Sequence, residues 1–256
     1  MNGKFGLLGK SLNHSISPLL HSYLGDYSYE LIERDEEGAR NLWINPEYAG
    51  FNVTIPYKKL ACSLCSELSN EAERIGSVNT VIFKEDNRSI GYNTDAFGFD
   101  YLLNRNGIDV EGKDCLILGT GGASLAVEYV LGLHNSKSIT FSTRNKDNKA
   151  DRKLVEYDEL YDMAKSGPIG DYSIIVNTTP VGMYTEDGSL YGSPIDLGIF
   201  KGIDAVIDLI YNPVKTSLCK QAESLGIKWT SGLQMLIAQG YKASELFKEA
   251  TNGLHN

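Results

Sequence analysis

The stretch Gly119-Thr120-Gly121-Gly122-Ala123-Ser124 restricts the fold of this chain more than any other. Ahead of it runs Cys115-Leu116-Ile117-Leu118, a short apolar strand; behind it, Ser124 to Leu133 has helical spacing and Ser138-Ile139-Thr140-Phe141-Ser142 reads as a second strand. Strand, glycine turn, helix and strand in this order form a βαβ unit, and the turn suits a dinucleotide. Glycines let the backbone turn tightly and approach a pyrophosphate, whose charge is met by free N–H groups at the helix start. Gly119, Gly121, Gly122 and Ala123 are therefore candidate cofactor-binding residues. A flexible glycine-rich loop is the competing reading, and the flanking elements weigh against it. Ser124 stands where the pattern prefers Gly or Ala, which predicts a slightly looser contact between helix and strand.

An NAD site usually places Asp or Glu at the end of the second strand to hold the ribose 2′-hydroxyl. Here the chain reads Ser142-Thr143-Arg144-Asn145-Lys146, with Lys149 beyond. Arg144 in place of an acid, backed by lysines, favours a 2′-phosphate. NADP is the expected cofactor, with Thr143, Arg144 and Lys149 among its ligands. A solvated basic loop is the alternative.

Further strands at Ser173 to Asn177, Ala205 to Asp208 and Lys228 to Thr230 extend the same sheet. Before it, Phe5 to Leu8, Tyr29 to Ile32, Gly50 to Thr54 and Thr80 to Phe83 read as strands, separated by helical segments near Pro18 to Leu24 and Lys58 to Cys65. With 256 residues to divide, the expectation is an α/β protein of two domains with mostly parallel sheets. Residues 1–98 form an N-terminal α/β substrate domain and 99–232 a Rossmann-like, doubly wound dinucleotide-binding domain. The helical pattern Leu233 to Glu249 returns to the first, so that 233–256 completes it.

No apolar run approaches the roughly 18 residues that span a bilayer. The N-terminus reads as a first strand, not a signal peptide, so the expected compartment is the cytoplasm. A net charge of −9 disfavours general binding to nucleic acid. The CxxC pair Cys62 and Cys65 has no second pair or histidine cluster to complete a zinc set, so no metal is expected. Idle thiols on a helix are favoured over a redox pair.

Three segments of the first domain carry chemistry. In Ser15-Ile16-Ser17-Pro18, helix capping accounts for Ser17 but not for Ser15, and two hydroxyls beside a helix start also suit a carboxylate. Asn52-Val53-Thr54-Ile55-Pro56-Tyr57-Lys58 places Lys58 in a first helical turn, where a cation opposes the helix dipole. Departures of this kind often mark functional sites, although an exposed lysine, as expected for Lys59, is the usual outcome. In Asn93-Thr94-Asp95, Asp95 is either the cap of a helix over Phe99 to Arg105 or the partner of Lys58 in an acid–base pair.

Together these segments resemble the shikimate dehydrogenase family. The likeness covers nearly the whole chain and rests on Ser15-x-Ser17-Pro18, Asn52-x-Thr54-x-Pro56-x-Lys58, Asn79-Thr80, Asn93-Thr94-Asp95-x-x-Gly98 and Gly119-x-Gly121-Gly122. Asn177-Thr178-Thr179-x-x-Gly182-Met183, Asp208-x-x-Tyr211-x-Pro213-x-x-Thr216 and Gly232-x-x-Met235-Leu236-x-x-Gln239 complete it. Each motif is weak; their joint order is specific. The resemblance implies reversible, NADPH-dependent reduction of 3-dehydroshikimate to shikimate in chorismate and aromatic amino-acid biosynthesis. It implies Lys58 and Asp95 as the catalytic pair, with Ser15, Ser17 and Tyr211 on the substrate carboxylate. Thr54, Asn79, Asp95 and Gln239 would bind the ring hydroxyls, and Gly232 joins the cofactor residues. Where the family commonly reads Asn-Arg-Thr, this chain has Thr143-Arg144-Asn145, and residues 151–170 are compact for a helix there. The alternatives are an NAD-linked quinate/shikimate dehydrogenase, a non-catalytic ligand-binding regulator on the same scaffold, and another two-domain dehydrogenase such as a folate enzyme.

Overall fold

The computed structural model describes residues 3–12, 15–144, 152–185, 188–190 and 192–253. It divides into two units, Met1–Gly98 with Ile237–Asn256, and Phe99–Leu236.

The first unit follows the order β1 (Lys4–Gly9), α1 (Ser17–Leu24), β2 (Ser28–Glu33), α2 (Glu36–Ile44), β3 (Gly50–Val53), α3 (Lys58–Leu64), β4 (Glu67–Leu68), α4 (Asn70–Ile75), β5 (Thr80–Phe83) and β6 (Ser89–Tyr92). Its six strands lie in the order β2-β1-β3-β5-β6-β4. Strand β5 runs antiparallel to both β3 and β6, while the other pairs are parallel. The sheet is mostly parallel, as expected, with β5 as its one antiparallel strand. The turn at 84–88 sets the antiparallel β5–β6 pair: Lys84 N–H donates to Arg88 O (2.7 Å), and a connection this short cannot carry a parallel crossover.

Alternation along the strands gives the sheet two different faces. Phe51, Val53, Val81 and Phe83 enter one apolar cluster with Leu8, Ile32 and Leu42. Ile82 enters another with Phe5 and Phe247, and Asn52 and Thr80 share its parity. Both are buried polar residues that need partners.

Helices α5 (Asp95–Asn106) and α9 (Leu233–Gly253) each contain a boundary between the units. The second unit continues with β7 (Asp114–Leu118), α6 (Gly122–Leu133), β8 (Ser138–Thr143), β9 (Leu154–Glu156), α7 (Tyr157–Ala164), β10 (Ile174–Asn177), β11 (Ala205–Asp208), α8 (Ser217–Ser224) and β12 (Lys228–Ser231). Its strand order, β12-β11-β10-β7-β8-β9, is all parallel. Read from β7 outward this is the doubly wound order 3-2-1-4-5-6, whose switch point lies between β7 and β10. Leu116, Ile117, Ile175 and Val206 are fully buried, as strands covered on both faces must be. A helix does form in the compact 151–170 stretch: α7, held by a capping box between Glu156 and Glu159.

Among the described residues, no helix is long and apolar enough to cross a membrane, and no group of three His, Cys, Asp or Glu side chains could hold a metal ion. All four cysteines are free thiols. Cys62 lies on α3 and Cys65 ends it; burial pushes the Cys65 thiol up to about 11.

Candidate active site

Asn79 extends the β5 ladder by one residue, donating its N–H to Tyr92 O (3.0 Å) and accepting at its carbonyl from Val53 N–H (2.7 Å). Its side chain meets the start of α5. Asp95 opens that helix without capping it: Asn93 Oδ1 accepts from Asp95 N–H (3.1 Å) and Ala96 N–H (3.3 Å). This removes the capping alternative for Asp95 and frees its carboxylate. Asp95 Oδ2 accepts from Lys58 Nζ at 2.5 Å, and Oδ1 accepts from Asn79 Nδ2 at 2.9 Å. The Lys58 and Asp95 side chains are only 14% and 7% exposed, so each charge depends on the other. Lys58 is the first residue of α3, and its carbonyl accepts from Val78 N–H (3.1 Å), next to Asn79. Lys59 is exposed.

Helix α9 adds Gln239, whose Oε1 lies 3.4 Å from Asn79 Nδ2 and 3.3 Å from Thr94 Oγ1. Thr94 also donates its N–H to Asn79 Oδ1 (2.7 Å). The first unit thus gathers Lys58, Asn79, Thr94, Asp95 and Gln239, of which Thr94 alone has no separate role in the reading of the sequence. It adjoins Asp95 in the quoted motif, which is the signal that could have found it.

Ser15 and Ser17 form a second cluster. Ser15 Oγ accepts from Ser17 N–H (3.3 Å) and lies 3.2 Å from Ser17 Oγ. Ser17 is buried and already helical; the cap position is Ile16, without a side-chain bond. The capping role considered for Ser17 is therefore absent. Thr54 is half-buried in the turn that leads to α3, where Tyr57 N–H donates to its carbonyl (2.9 Å).

Behind these residues His21 of α1 is fully buried, stacked on Tyr29 with ring centroids 3.9 Å apart, and its Nδ1 lies 2.7 Å from Tyr27 Oη. Burial lowers its pKa to about 4, against a smaller opposing pull from Asn52. An unfolded histidine takes up a proton near pH 6.5 and the folded one does not, so stability falls as pH drops from 6.5 towards 4. Between pH 7 and pH 4, wild type is expected to lose about 3 kcal/mol more stability than His21→Gln. Urea unfolding at the two pH values measures this, and parallel losses would refute it.

In the second unit the turn after β7 has the required shape. Gly119 has φ 96°, and a Cβ there would stand 2.7 Å from Thr179 Cγ2. Gly121 precedes α6 with no side-chain cap and with open space where a Cβ would lie. Uncapped N–H groups beside an open approach fit a pyrophosphate. Gly122 and Ala123 begin α6, two residues earlier than the sequence predicts. Ser124 is fully buried and donates to Gly121 O (2.7 Å), so its hydroxyl is accommodated, not disruptive.

Thr143 ends β8 and Arg144 follows it, exposed. Lys146 and Lys149 lie outside the described residues. Arg152 is committed elsewhere, paired with Glu128 at 2.5 Å and 4.7 Å over the Phe141 ring. Tyr211 is half-buried in the loop after β11. Gly232 has a packing reason for its identity, since a Cβ would lie 1.9 Å from Leu209 O.

The model of the shikimate dehydrogenase substrate binding domain matches residues 7–81. Shikimate dehydrogenase (NADP(+)) of Clostridium beijerinckii is 35% identical over 98% of this chain and 96% of that protein. Among solved structures, shikimate dehydrogenase 1 of Peptoclostridium difficile aligns with a TM-score of 0.84 and 37% identity, covering 97% of this chain and 92% of that one. Shikimate 5-dehydrogenase of Thermus thermophilus, solved with NADP(H) and shikimate, gives 0.80 at 29% identity, over 97% and 94%. With a relative 35% identical over 98% of the chain, the chain belongs to the shikimate dehydrogenase family.

Proposed function

We propose that the chain catalyses the reversible, NADPH-dependent reduction of 3-dehydroshikimate to shikimate. The observation that carries this reading is the buried 2.5 Å pair of Lys58 and Asp95, set among Asn79, Thr94 and Gln239. A pure binder has no need of such a pair. The first unit would be the substrate domain and the second the dinucleotide domain, with Gly119, Gly121, Gly122 and Ala123 at the pyrophosphate and Thr143 and Arg144 at the 2′-phosphate. Lys149 and Gly232 belong to the same proposed cofactor set.

NADPH, when bound, supplies a hydride to the ketone carbon. Lys58 Nζ donates a proton to the oxygen on which negative charge develops, and in the reverse direction accepts it. Asp95 Oδ2 aims the Lys58 side chain, while Asn79 holds the other carboxylate oxygen. Asn79, Thr54, Asp95 and Gln239 offer donors and acceptors to ring hydroxyls; Ser15, Ser17 and Tyr211 offer hydroxyls to the carboxylate.

The test is four initial rates: shikimate and quinate, each with NADP and NAD. Shikimate with NADP is expected to exceed every other pair by at least about tenfold. Dominance of quinate with NAD, or no turnover with any pair, would overturn the assignment.

A further inference from the structure

We propose that Thr80, Asn52 and Tyr29 are positioning residues for the Lys58–Asp95 pair, acting through the side-chain amide of Asn79. The inference rests on the function proposed above and assigns roles to residues that function leaves unused. None of the three touches Lys58 or Asp95 directly; what links them is a chain of hydrogen bonds whose direction is fixed at both ends.

Asn52 Nδ2 faces the main-chain carbonyl of Asn79 (3.4 Å), which can only accept, so the amide group must stand there and Oδ1 must face Tyr29. Tyr29 Oη donates to that Oδ1 at 2.8 Å. Asn52 Nδ2 also donates to Thr80 Oγ1 at 2.9 Å, and this leaves the Thr80 hydroxyl proton for Asn79 Oδ1 at 3.1 Å. Asn79 Oδ1 is fixed from its other side by Thr94 N–H, which can only donate. Nδ2 of Asn79 is then obliged to point at Asp95 Oδ1, so the carboxylate meets a donor there and turns Oδ2 to Lys58.

Burial makes the direction matter. Asn52, Asn79, Thr80 and Asp95 are all buried, and a buried amide turned the wrong way would set oxygen against oxygen next to Asp95. The far end of the chain is rigid as well, since Tyr29 lies flat against His21, with an interplanar angle of 5°. His21 in turn bonds Tyr27.

The test compares Thr80→Val, which keeps the shape and removes the hydroxyl, with Thr80→Ser, which keeps the hydroxyl. Val81→Ala is the control: it loosens the same strand on the opposite, apolar face and leaves the chain intact. With shikimate and NADP, well below each melting temperature, Thr80→Val is expected to lower kcat about tenfold with KM for NADP unchanged within about twofold. Thr80→Ser should stay within about threefold of wild type, and Val81→Ala should lose stability but not kcat. Should Thr80→Val fail to fold, Tyr29→Phe removes the terminal hydroxyl while keeping the ring stack, and a several-fold loss of kcat is expected there too. Wild-type kcat in the hydroxyl-deleted variant, or an equal kcat loss in Val81→Ala, overturns the proposal. Either outcome is distinct from failure of the functional reading, which would show as absent turnover in wild type.

Discussion

Lys58→Ala is expected to lower kcat for shikimate oxidation by about a thousandfold and to change shikimate affinity by no more than a few-fold. Two contributions are lost together. One is the proton carried to and from the substrate oxygen, and the other is the positive charge beside that oxygen as the transition state forms. Neither is fully expressed in the ground state, where the neutral hydroxyl or ketone needs only ordinary hydrogen bonds. The loss is therefore expected on kcat, because the proposed binding residues Ser15, Ser17, Thr54, Asn79 and Gln239 are left unchanged. The substitution also strands Asp95, whose side chain is 7% exposed, and breaking one half of a buried pair typically costs about 3–5 kcal/mol of stability. Turnover must accordingly be measured on folded protein, with calorimetric titration of shikimate alongside. A kcat within tenfold of wild type would remove Lys58 from the mechanism.

The pairing behind that expectation is legible in the sequence only as a possibility. Asp95 lies 37 positions from Lys58 and Gln239 lies 160 from Asn79, and no local rule measures such distances. Locally, Asp95 fits a helix cap at least as well as a catalytic partner. What decides between them is Asn93, which takes the cap and leaves the carboxylate unspent. The Asn52–Thr80–Asn79 chain is hidden for the same reason: asparagine and threonine in strands look unremarkable until registry sets residue 52 opposite residue 80 across β3 and β5.

The second unit is easier to read, because its strands are short apolar runs between strong turn signals. Even so, Leu154–Glu156 escapes detection as β9 at three residues, since so short a strand carries no period. In the first unit β6 is missed because Gly91 and Asn93 mark a turn, although the backbone of 89–92 pairs with β5. Helix α2 follows Asp35, whose Oδ1 accepts from Gly38 N–H (2.8 Å), with Glu36 and Glu37 in its first turn; these are ordinary start signals that the glycine at 38 masks. The antiparallel β5–β6 pair follows from the hairpin at 84–88, not from strand composition, so an overall alternation of strands and helices does not locate it.

Arg144→Ala is expected to raise KM for NADP by about 10- to 100-fold and to leave KM for NAD within about twofold. The two cofactors differ by one phosphate, so a residue that meets only that phosphate separates them, and one that meets the shared adenosine does not. Arg144 stands directly after Thr143 at the end of β8, where an NAD site would carry an acid, and its side chain is exposed. Each charge-assisted hydrogen bond to a doubly charged phosphate contributes about 1.5–3 kcal/mol, which sets the size of the effect. Arg152 does not substitute for it: its guanidinium is held by Glu128 and lies over Phe141, and withdrawing it would break both contacts. The affinity for NADP should also fall with added salt in wild type and far less in the variant, as expected for an exposed ionic contact. Initial rates over a range of each cofactor, at low and moderate ionic strength, measure both signs. Equal rises in KM for NADP and NAD would show that Arg144 supports the loop or the adenosine, and the 2′-phosphate would then need a different partner.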